Sequence, residues 1–228
     1  MMPVPTLGIV VPVLNSADRV RRLLPTLNSD LLDIDIIVAD GGSTDQTVDV
    51  ASRFGARIAH ADGGRGPQLR TGAETALGDW IFLLHADSVL PDGWDRLIAG
   101  FIADPVNVRR AGYFRFALDD AANAARRLEA MVAWRCRVLG LPYGDQGLVI
   151  SRRFLTELGG VPDLPLMEDV SLVRRVGKGR LIPIEAPLVT SADKFRRGGY
   201  LIRSARNLFC LMLYLFGVPP RVIVAIYR

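Results

Sequence analysis

The chain has 228 residues, half of them hydrophobic and 23% charged, which suits one large α/β domain and excludes a disordered or low-complexity chain. Twenty-eight basic residues against 24 acidic ones give a formal charge of +4, a balance that invites a nucleic-acid reading. The excess is local: Ser191 to Arg228 holds seven basic residues and the single acid Asp193, and the remainder is slightly acidic. No nucleic-acid partner is therefore expected.

The elements follow in chain order. Leu7 to Val11 is an apolar, β-branched run closed by Pro12 and predicts a strand, and Ser16 to Leu27 carries Val20, Leu23, Leu24 and Leu27 at helical spacing. Ile34 to Ala39 predicts the second strand, followed by the turn Asp40-Gly41-Gly42-Ser43-Thr44-Asp45 and a helix from near Gln46. Ala56 to His60 and Trp80 to Leu84 read as the third and fourth strands. Strands separated by helices of about 10 to 15 residues imply a parallel sheet, with ligands bound beyond the carboxyl ends of its strands. The loops at that edge hold Asn15, Asp40, Arg65 and Asp87. Beyond Pro91, helices are expected over Trp94 to Ile102, Ala121 to Leu139 and Glu168 to Val176, and strands over Gly112 to Ala117 and Leu148 to Ser151.

Four segments can carry chemistry. Gly63-Gly64-Arg65-Gly66 suits an anion, because glycines let backbone amides approach it and Arg65 adds a bidentate donor. It is not a dinucleotide fingerprint, which belongs directly after the first strand. His85-Ala86-Asp87 follows an apolar strand, so both polar side chains emerge at the ligand edge, where they could hold Mg²⁺ or Mn²⁺ or simply cap a turn and pack. Glu168-Asp169 opens a helix and reads either as a cap or as a general base facing a cleft. Gly144-Asp145-Gln146-Gly147 is an acidic loop that a tight turn explains equally well. Gly-x-Ser-x-Gly is absent, which removes the nucleophile-elbow hydrolases.

Taken in order, Ile9 to Asn15, Ile37 to Asp45, Arg65-Gly66 through Gly78-Asp79, Phe82 to Asp87 and Glu168-Asp169 resemble the family 2 glycosyltransferases of GT-A fold, nearest to short bacterial members with His-Ala-Asp and Gly-Asp-Gln-Gly. The resemblance is dense over about the first 90 residues. It implies a Rossmann-like α/β fold and a nucleoside-diphosphate sugar donor. By position, Pro12, Val13 and Asn15 would line the nucleoside pocket, Asp40 would bind base or ribose, and Gly42, His85 and Ala86 would join the nucleotide-sugar site. Arg65 would lie by the diphosphate, Asp87 would bind Mn²⁺ or Mg²⁺ with His85 in place of the usual first acid, and Asp169, with Glu168, would be the catalytic base. Asp145 and Gln146 would sit on the acceptor side.

These readings divide the chain into a GT-A domain over residues 1–190, with a donor half of about 1–90 and an acceptor half of about 91–190, and a helical tail over 191–228 in the same unit. The tail is basic, then apolar from Leu208 to Val218, too short to span a bilayer but suited to an anionic membrane surface or to docking on the core. Cys136 and Cys210 stand alone, and Met1 to Thr6 lacks a signal-peptide pattern, so a cytoplasmic protein at the inner face of the membrane is expected. The implied activity is inverting transfer of a sugar to an unknown acceptor hydroxyl, lipid-linked in one version. The rivals are a nucleotidyltransferase of related fold and an inactive, membrane-associated sugar-nucleotide-binding protein.

Overall fold

The computed structural model describes residues 5–227. Residues 1–4, part of the stretch read above for a leader, and Arg228 lie outside it. Along the chain run β1 (Thr6–Val13), α1 (Ala17–Leu23), β2 (Asp33–Asp40), α2 (Thr47–Arg53), β3 (Arg57–His60), α3 (Arg65–Thr75), β4 (Trp80–Leu83) and β5 (Ser88–Val89). They are followed by α4 (Trp94–Ala103), β6 (Ala111–Leu118), α5 (Asn123–Leu139), β7 (Leu148–Ser151), α6 (Arg152–Glu157), α7 (Glu168–Val176) and β8 (Leu181–Thr190). Three helices close the described chain: α8 (Asp193–Gly198), α9 (Tyr200–Leu215) and α10 (Pro220–Tyr227).

The eight strands form one sheet in the order β3-β2-β1-β4-β7-β6-β8-β5. β1 pairs in parallel with β2 on one side and β4 on the other, so the strand order reverses beside β1, where ligands of open α/β sheets bind. Helices cover both faces over two apolar clusters, one under α3, α5 and α7 and one under α1, α2 and α4. α3 can press onto the sheet because residue 72 is glycine: a Cβ there would stand 2.3 Å from Cγ1 of Val10. The fold is the mostly parallel α/β arrangement expected from the sequence.

Pairing geometry decides what reaches the carboxyl edge of the first four parallel strands. β7 runs antiparallel to β4, with Leu148 opposite Leu83, so the loop before β7 arrives beside His85. β6 and β8 are parallel to each other, with Leu118 opposite Thr190. β6 is antiparallel to β7 and so runs with β4, which brings Thr190 and the helices after it to the same edge.

Some elements differ from the expectation. Arg65 is not in a loop but at the first position of α3, directly after Gly64. β8 occupies a stretch for which no strand was expected, and within the segment read as a helical tail the described residues form three separate helices, α8, α9 and α10. α8 is anchored by the acids after β6: Asp119 accepts the Ala192 amide at 2.6 Å, and Asp120 accepts the Tyr200 hydroxyl at 2.6 Å. Cys210, Leu211 and Ile223 of α9 and α10 are buried in the first core cluster. Among the described residues no helix is long and apolar enough to cross a membrane.

Candidate active site

A cleft open to solvent lies at this edge. Arg65 enters it from α3, His85 and Asp87 from the loop after β4, Tyr143 and Asp145 from the loop before β7, and Glu168 and Asp169 from the start of α7. A further wall comes from the C-terminal helices, through Lys194, Phe195, Arg203, Asn207 and Tyr227.

Asp169 sits in the first turn of α7, where the helix dipole favours a carboxylate. Its Oδ2 accepts the Gly144 amide at 2.9 Å and its Oδ1 accepts the Val170 amide at 2.7 Å, so both oxygens are oriented while the side chain still faces the cleft. Residue 144 has to be small: a Cβ there would stand 2.7 Å from Nε2 of His85 and 3.5 Å from Oδ2 of Asp169. His85 and the carboxylate thus flank one glycine.

Glu168, by contrast, is 1% exposed, and neither of its oxygens has a hydrogen-bond partner. Its nearest cation is Arg65, whose Nε lies 3.6 Å from Oε1. An apolar cavity walled by Leu69, Leu83, Leu148, Leu172 and Val173 lies against it. Burial, then the neighbouring charge of Asp169, push the Glu168 carboxyl up to about 7 against the pull of Arg65. Burial likewise raises Asp145 to about 6. His85 is held well below its ordinary value by burial and by the charges of Arg65 and Lys194. Its imidazole is therefore neutral at pH 7, with Nε2 buried and unpartnered.

The remaining sequence candidates fall elsewhere. Pro12, Val13, Asn15, Asp40 and Gly42 belong to β1, β2 and the loops after them, outside the lining of the cleft, and Ala86 packs against the second core cluster between His85 and Asp87. Asp40 is 2% exposed and uses its carboxylate on the turn it begins, accepting the Gly42 and Ser43 amides at 3.1–3.2 Å. Asn15 ties the two loops together, its Oδ1 accepting the Thr44 amide at 2.9 Å. Gln146 is 1% exposed and committed to the core: its Oε1 accepts from Arg135, Cys136 and the Tyr143 amide, and its Nε2 donates to the Phe114 carbonyl. It supports the loop before β7 from behind, while Asp145 faces the cleft.

The residues that motif reasoning missed are Tyr143 and the C-terminal group. Lys194 is the informative one. Burial lowers its ammonium from the ordinary value, against the charge of Asp87, so a cation faces the carboxylate singled out as a metal ligand. The tail's basic residues were the available signal, but they pointed outward to a membrane rather than inward to a cleft.

This topology, with its cleft at the strand switch, is that of the GT-A α/β proteins. The profile of Glycosyl transferase family 2 matches residues 8–134, more than half of the chain, and the chain belongs to that family. PGL/p-HBAD biosynthesis glycosyltransferases of Mycobacterium tuberculosis and Mycobacterium bovis are 34% identical to it over 113 residues, 45% of this chain. The match spans 44% of those relatives' length, less than half. Among solved structures, a glucosyl-3-phosphoglycerate synthase from Mycobacterium tuberculosis, crystallised with Mn²⁺, UDP-glucose and glycerol 3-phosphate, superposes with a TM-score of 0.66 at 20% identity, over 94% of this chain and 81% of that one. A Pyrobaculum calidifontis mannosyltransferase in complex with GDP-mannose and Mn²⁺ gives 0.61 at 19% identity, over 90% and 61%. A mannosyl-3-phosphoglycerate synthase from Rubrobacter xylanophilus gives 0.62 at 18%, over 93% and 75%. These likenesses establish the GT-A fold.

Proposed function

We propose that this chain is an inverting glycosyltransferase that moves a sugar from a nucleoside diphosphate to an acceptor hydroxyl. The observation that carries the reading is the meeting, in one cleft, of an oriented carboxylate, Asp169, with Arg65 and Asp87. Asp169 takes the proton of the acceptor hydroxyl, whose oxygen bonds to the anomeric carbon as the bond to the diphosphate breaks on the opposite face. The negative charge gathering on the leaving diphosphate is met by Arg65, whose Nε lies 3.6 Å from Oε1 of Glu168.

A divalent cation, Mn²⁺ or Mg²⁺, fits the residues present. Asp87 lines the cleft and His85 offers a neutral imidazole with an unpartnered Nε2. Among the described residues no three His, Cys, Asp or Glu side chains converge as a ready-made site. Asp87 and His85 would therefore hold the ion together with donor oxygens and water, the pattern usual for Mg²⁺ at phosphates. When bound, it would neutralise charge on the diphosphate.

On the nucleoside side, the turn set by Asp40 and Gly42 and the loop of Pro12, Val13 and Asn15 are the candidate base and ribose contacts, with Ala86 bridging to the cleft. Asp145 is the candidate acceptor contact. The basic C-terminal segment supports an anionic membrane surface as a second partner, at the inner face of the cytoplasmic membrane, with a lipid-linked acceptor.

A thermal-shift panel of nucleoside diphosphates and their sugars, with and without Mn²⁺, followed by assay for released nucleoside diphosphate, tests the reading. One base should stabilise the protein and its sugar form should be turned over. Pyrophosphate release from a nucleoside triphosphate with a sugar phosphate would instead make it a nucleotidyltransferase.

A further inference from the structure

Helix α9 is built inside out. A helix on a protein surface normally turns its apolar stripe to the core and its polar residues to water. In α9 every exposed residue is apolar: Leu201, Ile202, Leu208, Phe209, Met212 and Leu215, with Ala205 among them. Leu201 and Ile202 are 86% and 74% exposed, and Phe216, just past the helix end, is 79% exposed. The polar residues Arg203, Ser204, Arg206 and Asn207 are on the half-buried side, where Arg203 and Asn207 line the catalytic cleft.

Exposed apolar surface continues on the neighbours. α5, which α9 packs against, leaves Met131, Trp134 and Val138 exposed at helical spacing, and α10 leaves Val222 and Ile226 exposed. From Tyr200 to Tyr227 there is no acid, only Arg203, Arg206 and Arg221, and Arg197 stands exposed just before. At 16 residues α9 is too short to cross a bilayer, so an apolar face of this kind suits a helix lying in the interface.

We propose that α9, with α5 and α10 beside it, lies in the plane of one leaflet of an anionic bilayer, its apolar face among the acyl chains. The exposed Arg197 and Arg221 flank the apolar face, and no acid lies from Tyr200 to Tyr227, which selects anionic lipid over a neutral surface. The cleft wall formed by Arg203 and Asn207 is on the other side of the same helix, so the catalytic cleft lies about one helix diameter, ~10–12 Å, from the lipid. This rests on the glycosyltransferase reading only in its consequence for the acceptor: a hydroxyl on a membrane lipid's headgroup reaches Asp169 without leaving the bilayer.

The test is co-sedimentation of the full chain with vesicles of phosphatidylcholine mixed with phosphatidylglycerol, against phosphatidylcholine alone. Binding to the mixed vesicles is expected, and Leu201→Glu/Phe209→Glu should weaken it about a hundredfold while leaving the melting temperature unchanged. Trp134 is 50% exposed whereas Trp80 and Trp94 are buried, so the tryptophan emission should shift to the blue on binding. Sedimentation without that shift would remove α5 from the lipid face. Protein that stays in the supernatant with both vesicles would overturn the proposal, as would a dimer in light scattering that the double substitution converts to monomer, because the face would then belong to a second copy. Since sedimentation needs no turnover, its failure is separate from any failure of sugar transfer.

Discussion

Replacing Glu168 by Gln is expected to stabilise the protein at alkaline pH and leave its stability unchanged in acid. The buried carboxyl titrates at about 7 in the fold against an ordinary 4.5. A folded pKa above the unfolded one means that the native state holds the proton more tightly. Stability is then fully present below about 4.5 and falls as pH rises toward 7. At 1.36 kcal/mol per unit, the ionised Glu168 costs about 3 kcal/mol at pH 8, with the attraction of Arg65 at 3.6 Å already included. Gln keeps the shape and removes the charge, so its melting temperature should exceed the wild type's at pH 8 by on the order of 10 °C. At pH 4 the two should coincide. Melting curves of both proteins from pH 4 to 8 decide it. Asp145, also raised, is present in both and cancels in the difference. Equal melting temperatures at pH 8, or an offset independent of pH, would refute the argument that Glu168 is a strained, desolvated charge.

Other expectations follow from specific contacts. Gly144→Ala puts a methyl 2.7 Å from Nε2 of His85 and displaces the amide that holds Asp169; kcat should fall at least about tenfold, and the Mn²⁺ needed for half-maximal turnover should rise because the methyl crowds the atom offered to the ion. Arg152 donates to the carbonyls of Ala73, Ala76 and Gly78 behind α3, so Arg152→Ala should cost about 3 kcal/mol in urea unfolding. Chelation followed by Mn²⁺ titration should lower and then restore turnover, and Asp87→Asn should require more Mn²⁺ for half-restoration; a normal requirement would remove Asp87 from the ion's shell.

The first four strands and α7 were legible because their signals are local. Buried runs such as Ile37 to Ala39 and Ile81 to Leu83 are short, apolar and punctuated by turns, and the helix over Glu168 to Val176 has strong periodicity with acids at its start. α3 was hidden by Gly66, Pro67 and Gly72, poor helix formers that packing against β1 overrides. β8 was hidden by Pro183 and Pro187, which argue against a strand. The structure accommodates them because β5 pairs only with Val189 and Thr190, leaving the outer edge beside the prolines free, and because the pairing with β6 slips between Phe114 and Arg115. With β8 unseen, nothing in the sequence said that the chain returns to the ligand edge at Thr190. Lys194, Arg203, Asn207 and Tyr227 therefore read as a tail rather than as a wall of the cleft.

The central claim is that Asp169 is the base of a sugar transfer whose donor binds elsewhere in the same cleft. The direct measurement is turnover of Asp169→Asn beside its calorimetric affinity for the nucleotide sugar that stabilises the wild type. Transfer should be lost by at least about a thousandfold while donor affinity stays within a few-fold of wild type. A variant that transfers sugar at the wild-type rate would contradict the account.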